Sequence, residues 1–345
     1  MSSTAGPLKV LFCGQSFDKA FFYTKESLTK KNAMNIEVTR CSLPEVPEHA
    51  QQAHVVVPFM ALVDRPLLQA AQSLRLIIQY GVGVEGVNIP AATAHGIWVS
   101  NIPSGATGNA TSCAEHAIFL ALACLKQVHA MAASVREQRI GLPTGETLFS
   151  KTALVIGYGG IARELVPRLQ AFGTKLILVR RSSWEGDQPQ TSGWDVHLAS
   201  WKDLSSLLPQ ADLVFLTCSL NDETRGLVDS SFLSKCKPGV RIVNVARGGL
   251  LDYDAVLKEL DGKIGALGLD VQWSEPFDPE DPVAKHSRVY LTPHVAGVTE
   301  LSYRTMADLL AEQIIRASEL QPPTVQLNQI DPSEWVRKHS ARVSA

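Results

Sequence analysis

Residues Thr152–Gly173 read TALVIGYGGIARELVPRLQAFG. An apolar run reads as a buried strand, and the spacing Gly157-x-Gly159-x-x-Ala162 follows it directly. A helical stripe comes next, Ile161, Leu165, Leu169 and Phe172, and Gly173 stops it. Strand, glycine turn and helix in that order are the first unit of a dinucleotide-binding fold. The first glycine allows the tight turn, the second lets backbone approach a pyrophosphate, and a small residue at Ala162 lets the helix close on the strand. Unpaired N–H groups at the helix start favour phosphate oxygens. Gly157, Tyr158, Gly159, Gly160 and Ile161 are therefore candidate cofactor contacts. Pro167 fits poorly, because proline inside a helix removes a hydrogen bond or bends it.

The next strand, in KLILVRRSSW (Lys175–Trp184), ends on Arg180, Arg181, Ser182 and Ser183. In such folds this point meets the adenine ribose, and an acid here selects NAD. Guanidinium forks and hydroxyls suit a phosphate ester instead. The expectation is a preference for NADP(H), with NAD(H) possible. The competing reading is a solvated basic loop with Asp187, or nothing, at the ribose.

Outward from this unit, apolar runs alternate with helical patterns. Strand candidates TALVIG, KLILV, DLVFLTCSL, VRIVNVA, IGALGLDV and VYLTPH follow Thr152, and KVLFCG, NIEVTRCS, HVVVPFM, LRLIIQYG and IWVSNI precede residue 102. That cadence predicts two doubly wound parallel α/β domains, Rossmann- and flavodoxin-like, with a cleft between them. Asn109–Arg139 holds neither Gly nor Pro and reads as one long buried helix. Glu300–Leu320 reads as a further helix, followed by a polar tail.

At 345 residues the chain suits two domains, and 45% hydrophobic with 19% charged residues is an ordinary globular balance. A formal net charge of −2, from 32 basic and 34 acidic residues, gives no reason to expect nucleic acid or an anionic membrane as partner. The six cysteines form no CxxC pair, so reduced core thiols are expected and a metal is not. No apolar run reaches the ~18 residues that span a bilayer. With the first strand beginning near Leu8, a cleavable signal is not expected and the cytoplasm is.

Five ordered motifs carry a resemblance. IIQYGVGVEGVN (Ile77–Asn88), CAEHAIFLALA (Cys113–Ala123), VNVARGGLLD (Val243–Asp252), LGLDVQWSEPFDPEDP (Leu267–Pro282) and VYLTPHVAGVTE (Val289–Glu300) resemble the D-isomer-specific 2-hydroxyacid dehydrogenases, plant-type members above all. The resemblance implies a catalytic trio: Arg247 of the NxxRG motif, Glu275 of DVxxxEP and His294 of TPHxxG. It implies reversible reduction of a small 2-oxo acid to the D-2-hydroxy acid. A histidine can give and take the proton at the carbonyl oxygen. A carboxylate on its far nitrogen fixes the tautomer and favours the acid form, and an arginine fork holds the substrate carboxylate and the developing oxyanion. Tyr80, Gly81, Val82 and Gly83 are implied on the substrate side. Cys218, Ser219, Val245, Ala246, Asp270, His294, Ala296 and Gly297 are implied around the cofactor. The family often has Pro where this chain has Ser219, and Asp where it has Glu85.

Residues 1–105 with 298–345 are expected to form the substrate lobe, and 106–297 the dinucleotide domain. Trp273, Phe277 and Tyr303 are candidates for the substrate pocket. His95, His116 and His286 are expected to lie outside the site. A homodimer on the Asn109–Arg139 helix is implied by the resemblance. Two rivals stay open: a phosphite-type dehydrogenase, and a dinucleotide-sensing interaction protein like the corepressors that share this fold.

Overall fold

The computed structural model describes residues 6–189 and 195–340, so the terminal Val343–Ala345 lie outside the described residues. Its chain divides into two compact units, Met1–Gly108 with Glu300–Ala345, and Asn109–Thr299.

The first unit is built on β1 (Leu8–Cys13), β2 (Ile36–Cys41), β3 (Val55–Val57), β4 (Leu76–Gln79) and β5 (Trp98–Asn101). They form a parallel sheet in the order β2-β1-β3-β4-β5, which is the flavodoxin-like order. Leu11, Val56, Ile77 and Val99 meet on one face of it and are buried. The Glu300–Ser318 helix packs beside Asp18–Lys30. The segment beyond it is no loose tail. Asn328 accepts from the Val99 amide at 2.8 Å and donates to the Ile97 carbonyl at 2.9 Å. A helix at Pro332–Ser340 then buries Trp335, whose indole donates to the Arg75 carbonyl at 3.2 Å. One apolar anchor on a short polar helix gave the sequence pattern little to mark.

The second unit holds β6 (Thr152–Ile156), β7 (Lys175–Arg180), β8 (Val196–Ser200), β9 (Leu213–Leu216), β10 (Val240–Asn244), β11 (Ile264–Leu269) and β12 (Val289–Leu291). All pair in parallel, in the order β12-β11-β10-β9-β6-β7-β8. Side chains alternate between two cores. Leu154, Ile156, Val214 and Leu216 enter one, while Ala153, Val155, Leu213 and Phe215 enter the other. Burial on both faces makes these strands continuous apolar runs. The edge strand β8 has only Ala199 buried, so VHLAS lacked that signature.

Registry aligns the carboxyl ends. Ile156 pairs with Leu216 and Val179, and Asn244 pairs with Leu216 and Leu269. The residues after these strands share one edge, and strand order reverses between β6 and β9, where open α/β sheets bind ligands.

The expected single helix over Asn109–Arg139 is two, Asn109–Lys126 and Val128–Arg136, bent by 54°. Gln127 sits between them at φ 57°, a left-handed conformation that interrupts the helix without Gly or Pro. The first helix lies against the sheet through Ala114, Ala117, Leu120 and Ala121. No single helix among the described residues is long and apolar enough to cross a membrane, although the bent pair passes together on length and composition. Pro167 stands inside the Gly160–Ala171 helix without ending it. Its ring is exposed, and the carbonyl four residues back belongs to Arg163, also exposed, so the lost bond falls on the solvent side.

Candidate active site

At the glycine turn, Gly157 adopts φ +97° and its amide donates to the Val179 carbonyl at 2.8 Å. A Cβ there would lie 2.6 Å from the Cα of Cys218, so β6 and the loop after β9 touch backbone to backbone. Thr217 closes the contact, its hydroxyl donating to the carbonyls of Ile156 and Gly157. Gly159 begins the helix, and a Cβ built on it meets nothing within 4 Å. Ala162 is fully buried, as close helix–strand packing requires. An open glycine ahead of a helix N-terminus fits a pyrophosphate, so the turn passes the test for a dinucleotide. Cys218 borders it half-buried, its thiol pushed up to about 11 by burial. Ser219 is exposed, and its carbonyl accepts from Thr224 at 2.8 Å.

The end of β7 departs from a simple reading of its charges. Arg180 is buried, stacks 4.3 Å above the Trp184 ring, and donates to the Ser182 carbonyl at 3.2 Å and to the Ser183 carbonyl. Its Nη1 bonds the Asp187 carboxylate. Arg163, on the helix after the glycine turn, reaches both Asp187 oxygens at 2.6 Å from one nitrogen. Tyr158 lies between these groups, 4.7 Å below the Arg163 guanidinium and 5.1 Å from Trp184. The bonds from Arg163 and Arg180 hold the Asp187 carboxyl below its ordinary range. Arg181 is exposed and pairs with exposed Glu223 at 2.5 Å; Ser182 and Ser183 are exposed as well.

The trio lies after β10, β11 and β12. Asn244, fully buried, shapes the first loop by donating to the Arg247 carbonyl at 2.8 Å and accepting from the Ala246 amide at 3.0 Å. Val245 and Ala246 are buried, while Arg247 is half-buried with Nη1 2.7 Å from the Ala246 carbonyl. Gly248 abuts the second loop, since a Cβ there would fall 1.9 Å from the Gln272 carbonyl oxygen. Glu275 accepts from the Gln272 amide at 3.2 Å through one oxygen and meets His294 Nδ1 at 2.7 Å through the other. Burial works to raise the Glu275 carboxyl, but His294, the Gln272 amide and the charge of Arg247 hold it below the usual range. His294–Glu275 contact is thus direct, and Arg247 acts on the pair through its field.

His294 itself sits at φ +55°, a region costly for a residue with a Cβ. Asp270 holds that turn. Only 1% exposed, it accepts from the Val295 and Ala296 amides at 2.8 Å each and from the Thr292 hydroxyl at 2.6 Å. Its carboxylate is therefore spent on the backbone that carries His294. Gly297 follows, and a Cβ there would collide with Asn109 Nδ2 at 2.3 Å.

His116, expected outside the site, adjoins Thr292 and Asp270 next to the His294 turn. Its Nε2 lies 2.8 Å from Thr292 Oγ1 and 3.4 Å from Asp270. Because the Thr292 proton goes to Asp270, His116 donates. Burial lowers its pKa, against the opposing pull of Asp270, so the neutral form is favoured. The signal was present in the AEH triplet, but its partners lie 154 and 176 residues away. His286 is peripheral, 3.2 Å from Asp261, and half-buried His95 belongs to the first unit.

In the first unit, Gly81 adopts φ +136° with nothing within 4 Å of a built Cβ, Asn101 fixes the Val82 carbonyl at 2.7 Å, and Gly83 completes the turn. Tyr80 is buried and gives its hydroxyl to the Tyr303 carbonyl at 2.7 Å, with the two rings edge to face. Both tyrosines are thereby committed to packing. Trp273 is anchored likewise, donating to the Leu251 carbonyl at 2.7 Å and packing against Tyr253. Phe277 is half-buried.

A carboxylate–imidazole pair in the field of an arginine, beside a phosphate-accepting turn, can protonate a carbonyl while a nucleotide is held nearby. Known proteins agree in kind. Residues 118–296 match the family model described as D-isomer specific 2-hydroxyacid dehydrogenase, NAD binding domain. The D-3-phosphoglycerate dehydrogenase of Archaeoglobus fulgidus is 33% identical over 335 residues, covering 95% of this chain and 61% of the relative. For the mycobacterial enzymes of that name the chain spans 49% of their length. The hydroxypyruvate reductase of Thermotoga maritima is 31% identical over 300 residues, covering 85% of this chain and 90% of the relative. A solved glyoxylate reductase from Paecilomyes thermophila superposes with a TM-score of 0.74 at 27% identity, covering 93% of this chain and 98% of that one. The chain belongs to the D-isomer specific 2-hydroxyacid dehydrogenase family.

Proposed function

We propose that the protein reduces a small 2-oxo acid to the D-2-hydroxy acid, reversibly, with NADPH preferred over NADH. The observation that carries the reading is the 2.7 Å bond between His294 Nδ1 and Glu275 in the field of Arg247. When bound, the nicotinamide supplies the hydride.

His294 Nε2 gives the proton to the substrate oxygen and recovers it in the reverse direction. Glu275 holds Nδ1–H, so one tautomer and one ring orientation persist through the cycle. Arg247 binds the substrate carboxylate and stabilises charge growing on the oxygen. Val245, Ala246 and Gly297 border the cofactor side. Asp270 acts one step back, through the His294 turn.

Support for NADPH comes from Arg163, Arg180 and Arg181 at the end of β7. Phe119, Val128, Met131, Val135, Ile140 and Leu142 are exposed on and after the bent helix pair and support a homodimer. Buried thiols at Cys13, Cys113 and Cys124 suit a reducing compartment, and we place the enzyme in the cytoplasm.

The test is absorbance at the nicotinamide band with NADPH and NADH against glyoxylate, hydroxypyruvate, pyruvate and 4-hydroxyphenylpyruvate. Turnover above ~1 per second on one of them is expected, within the ordinary enzymatic range. Tight dinucleotide binding with no turnover on the panel refutes an enzymatic role.

A further inference from the structure

We propose that Asp187 is a built-in stand-in for the 2′-phosphate: its carboxylate occupies an anion site made by Arg163 and Arg180, and NADPH binds by displacing it. The proposal rests on the NADPH reading above and names the residue that sets its limit.

Arg163 reaches both oxygens of Asp187 at 2.6 Å, and Arg180 bonds one of the same oxygens. Two guanidinium groups converging on one carboxylate form the donor set that phosphate oxygens use. Arg180 does not depend on Asp187 for its position, and Arg163 has a second support besides that carboxylate. Arg180 is held by the Ser182 and Ser183 carbonyls and by the face of Trp184, itself pinned to the Ala199 carbonyl at 2.9 Å. Arg163 lies on the Tyr158 ring at 4.7 Å, within the glycine turn's own helix. The cations are anchored to strand, helix and aromatic rings, whereas the anion comes from the loop beyond Trp184.

Against Arg180, Asp187 is the movable member. Its side chain is 40% exposed, against 8% for Arg180 and 46% for Arg163. Rotating it outward places the carboxylate in water and leaves buried Arg180 in place. A phosphate monoester carries more negative charge than one carboxylate and offers three oxygens, so exchange is favourable while still opposed by the bonds it breaks. With NADH there is no phosphate to compete. Asp187 then stays paired with the two arginines. One loop residue thus permits both cofactors and penalises NADPH.

The test compares the wild type with Asp187→Asn, Asp187→Glu and Arg163→Gln, using 2′,5′-ADP and 5′-AMP as probes in direct calorimetric binding, alongside NADPH and NADH kinetics. Asp187→Asn is expected to tighten 2′,5′-ADP and lower the NADPH KM by about tenfold, since a competing charge-assisted bond is removed. 5′-AMP binding stays within about twofold, as the lost charge acts on the 2′-position alone. Asp187→Glu keeps the charge and stays near wild type. Arg163→Gln weakens 2′,5′-ADP and spares 5′-AMP. Unchanged or weaker 2′,5′-ADP binding in Asp187→Asn overturns the proposal, as does equal tightening of both probes. A wild type that favours NADH, while Asp187→Asn still gains 2′,5′-ADP, sinks the NADPH reading and leaves the stand-in role intact.

Discussion

Replacing Asp270 with asparagine changes a few atoms and tests how the proposed proton donor, His294, is held. The carboxylate accepts three hydrogen bonds: from Thr292 Oγ1 and the Val295 amide on one oxygen, and from the Ala296 amide on the other. An amide group has one acceptor oxygen and a donor in place of the second. Whichever way it turns, a backbone N–H that pointed at oxygen now points at NH₂. At 1% exposure no water relieves it. An orphaned buried donor costs about 1–3 kcal/mol, and the surviving bonds lose charge assistance. Because His294 sits at φ +55°, relaxation of the turn moves the imidazole off Glu275. A displacement near 1 Å costs on the order of 10²-fold in rate. Asp270→Asn should therefore lower the melting temperature by roughly 2–4 °C per kcal/mol lost. It should also cut kcat on the preferred 2-oxo acid by about a hundredfold, with substrate KM little changed. Differential scanning calorimetry and steady-state assays read both. A variant with wild-type melting and wild-type kcat refutes the idea that this carboxylate positions the histidine.

Gly157→Ala should abolish tight dinucleotide binding, measured by nicotinamide fluorescence, because its Cβ would meet Cys218 Cα at 2.6 Å from a φ of +97°; retained affinity contradicts the backbone-contact assignment. His54 titrates at about 4, lowered chiefly by burial with help from Arg75 and Lys9, and its Nδ1 accepts from the Lys9 amide at 2.9 Å. The unfolded chain binds that proton first, so stability should fall as pH drops from about 6.5 towards 4. His54→Asn should flatten the decline in urea midpoints over that window, and an identical slope counts against the assignment. Val135→Glu with Ile140→Glu, at positions 79% and 100% exposed, should convert a dimer to a monomer in light scattering; an unchanged mass rules out this surface.

The glycine turn and the parallel strands were readable because they are local. LVFL at Leu213–Leu216 is buried on both faces and carries no polar residue to obscure it. That Arg247, Glu275 and His294 come near one another could be expected only through ordered motifs, since they follow three separate strands and nothing near any of them names the other two. Relations between side chains were beyond the pattern. Arg180 and Arg181 look alike in sequence, yet one is buried on Trp184 and the other is exposed with Glu223. His116 looked like one more polar residue on an apolar helix, while its meaning lies in Thr292 and Asp270. The break at Gln127 falls in a run rich in good helix formers, with no Gly or Pro to mark it.

The most direct trial is His294→Gln, measured for turnover and for NADPH binding in the same preparation. With the imidazole as proton donor, kcat falls by about 10²–10⁴-fold, while the dissociation constant for NADPH stays within about twofold because Arg163, Arg180 and the glycine turn are untouched. A kcat within tenfold of wild type, with the cofactor still bound, would show that another group delivers the proton.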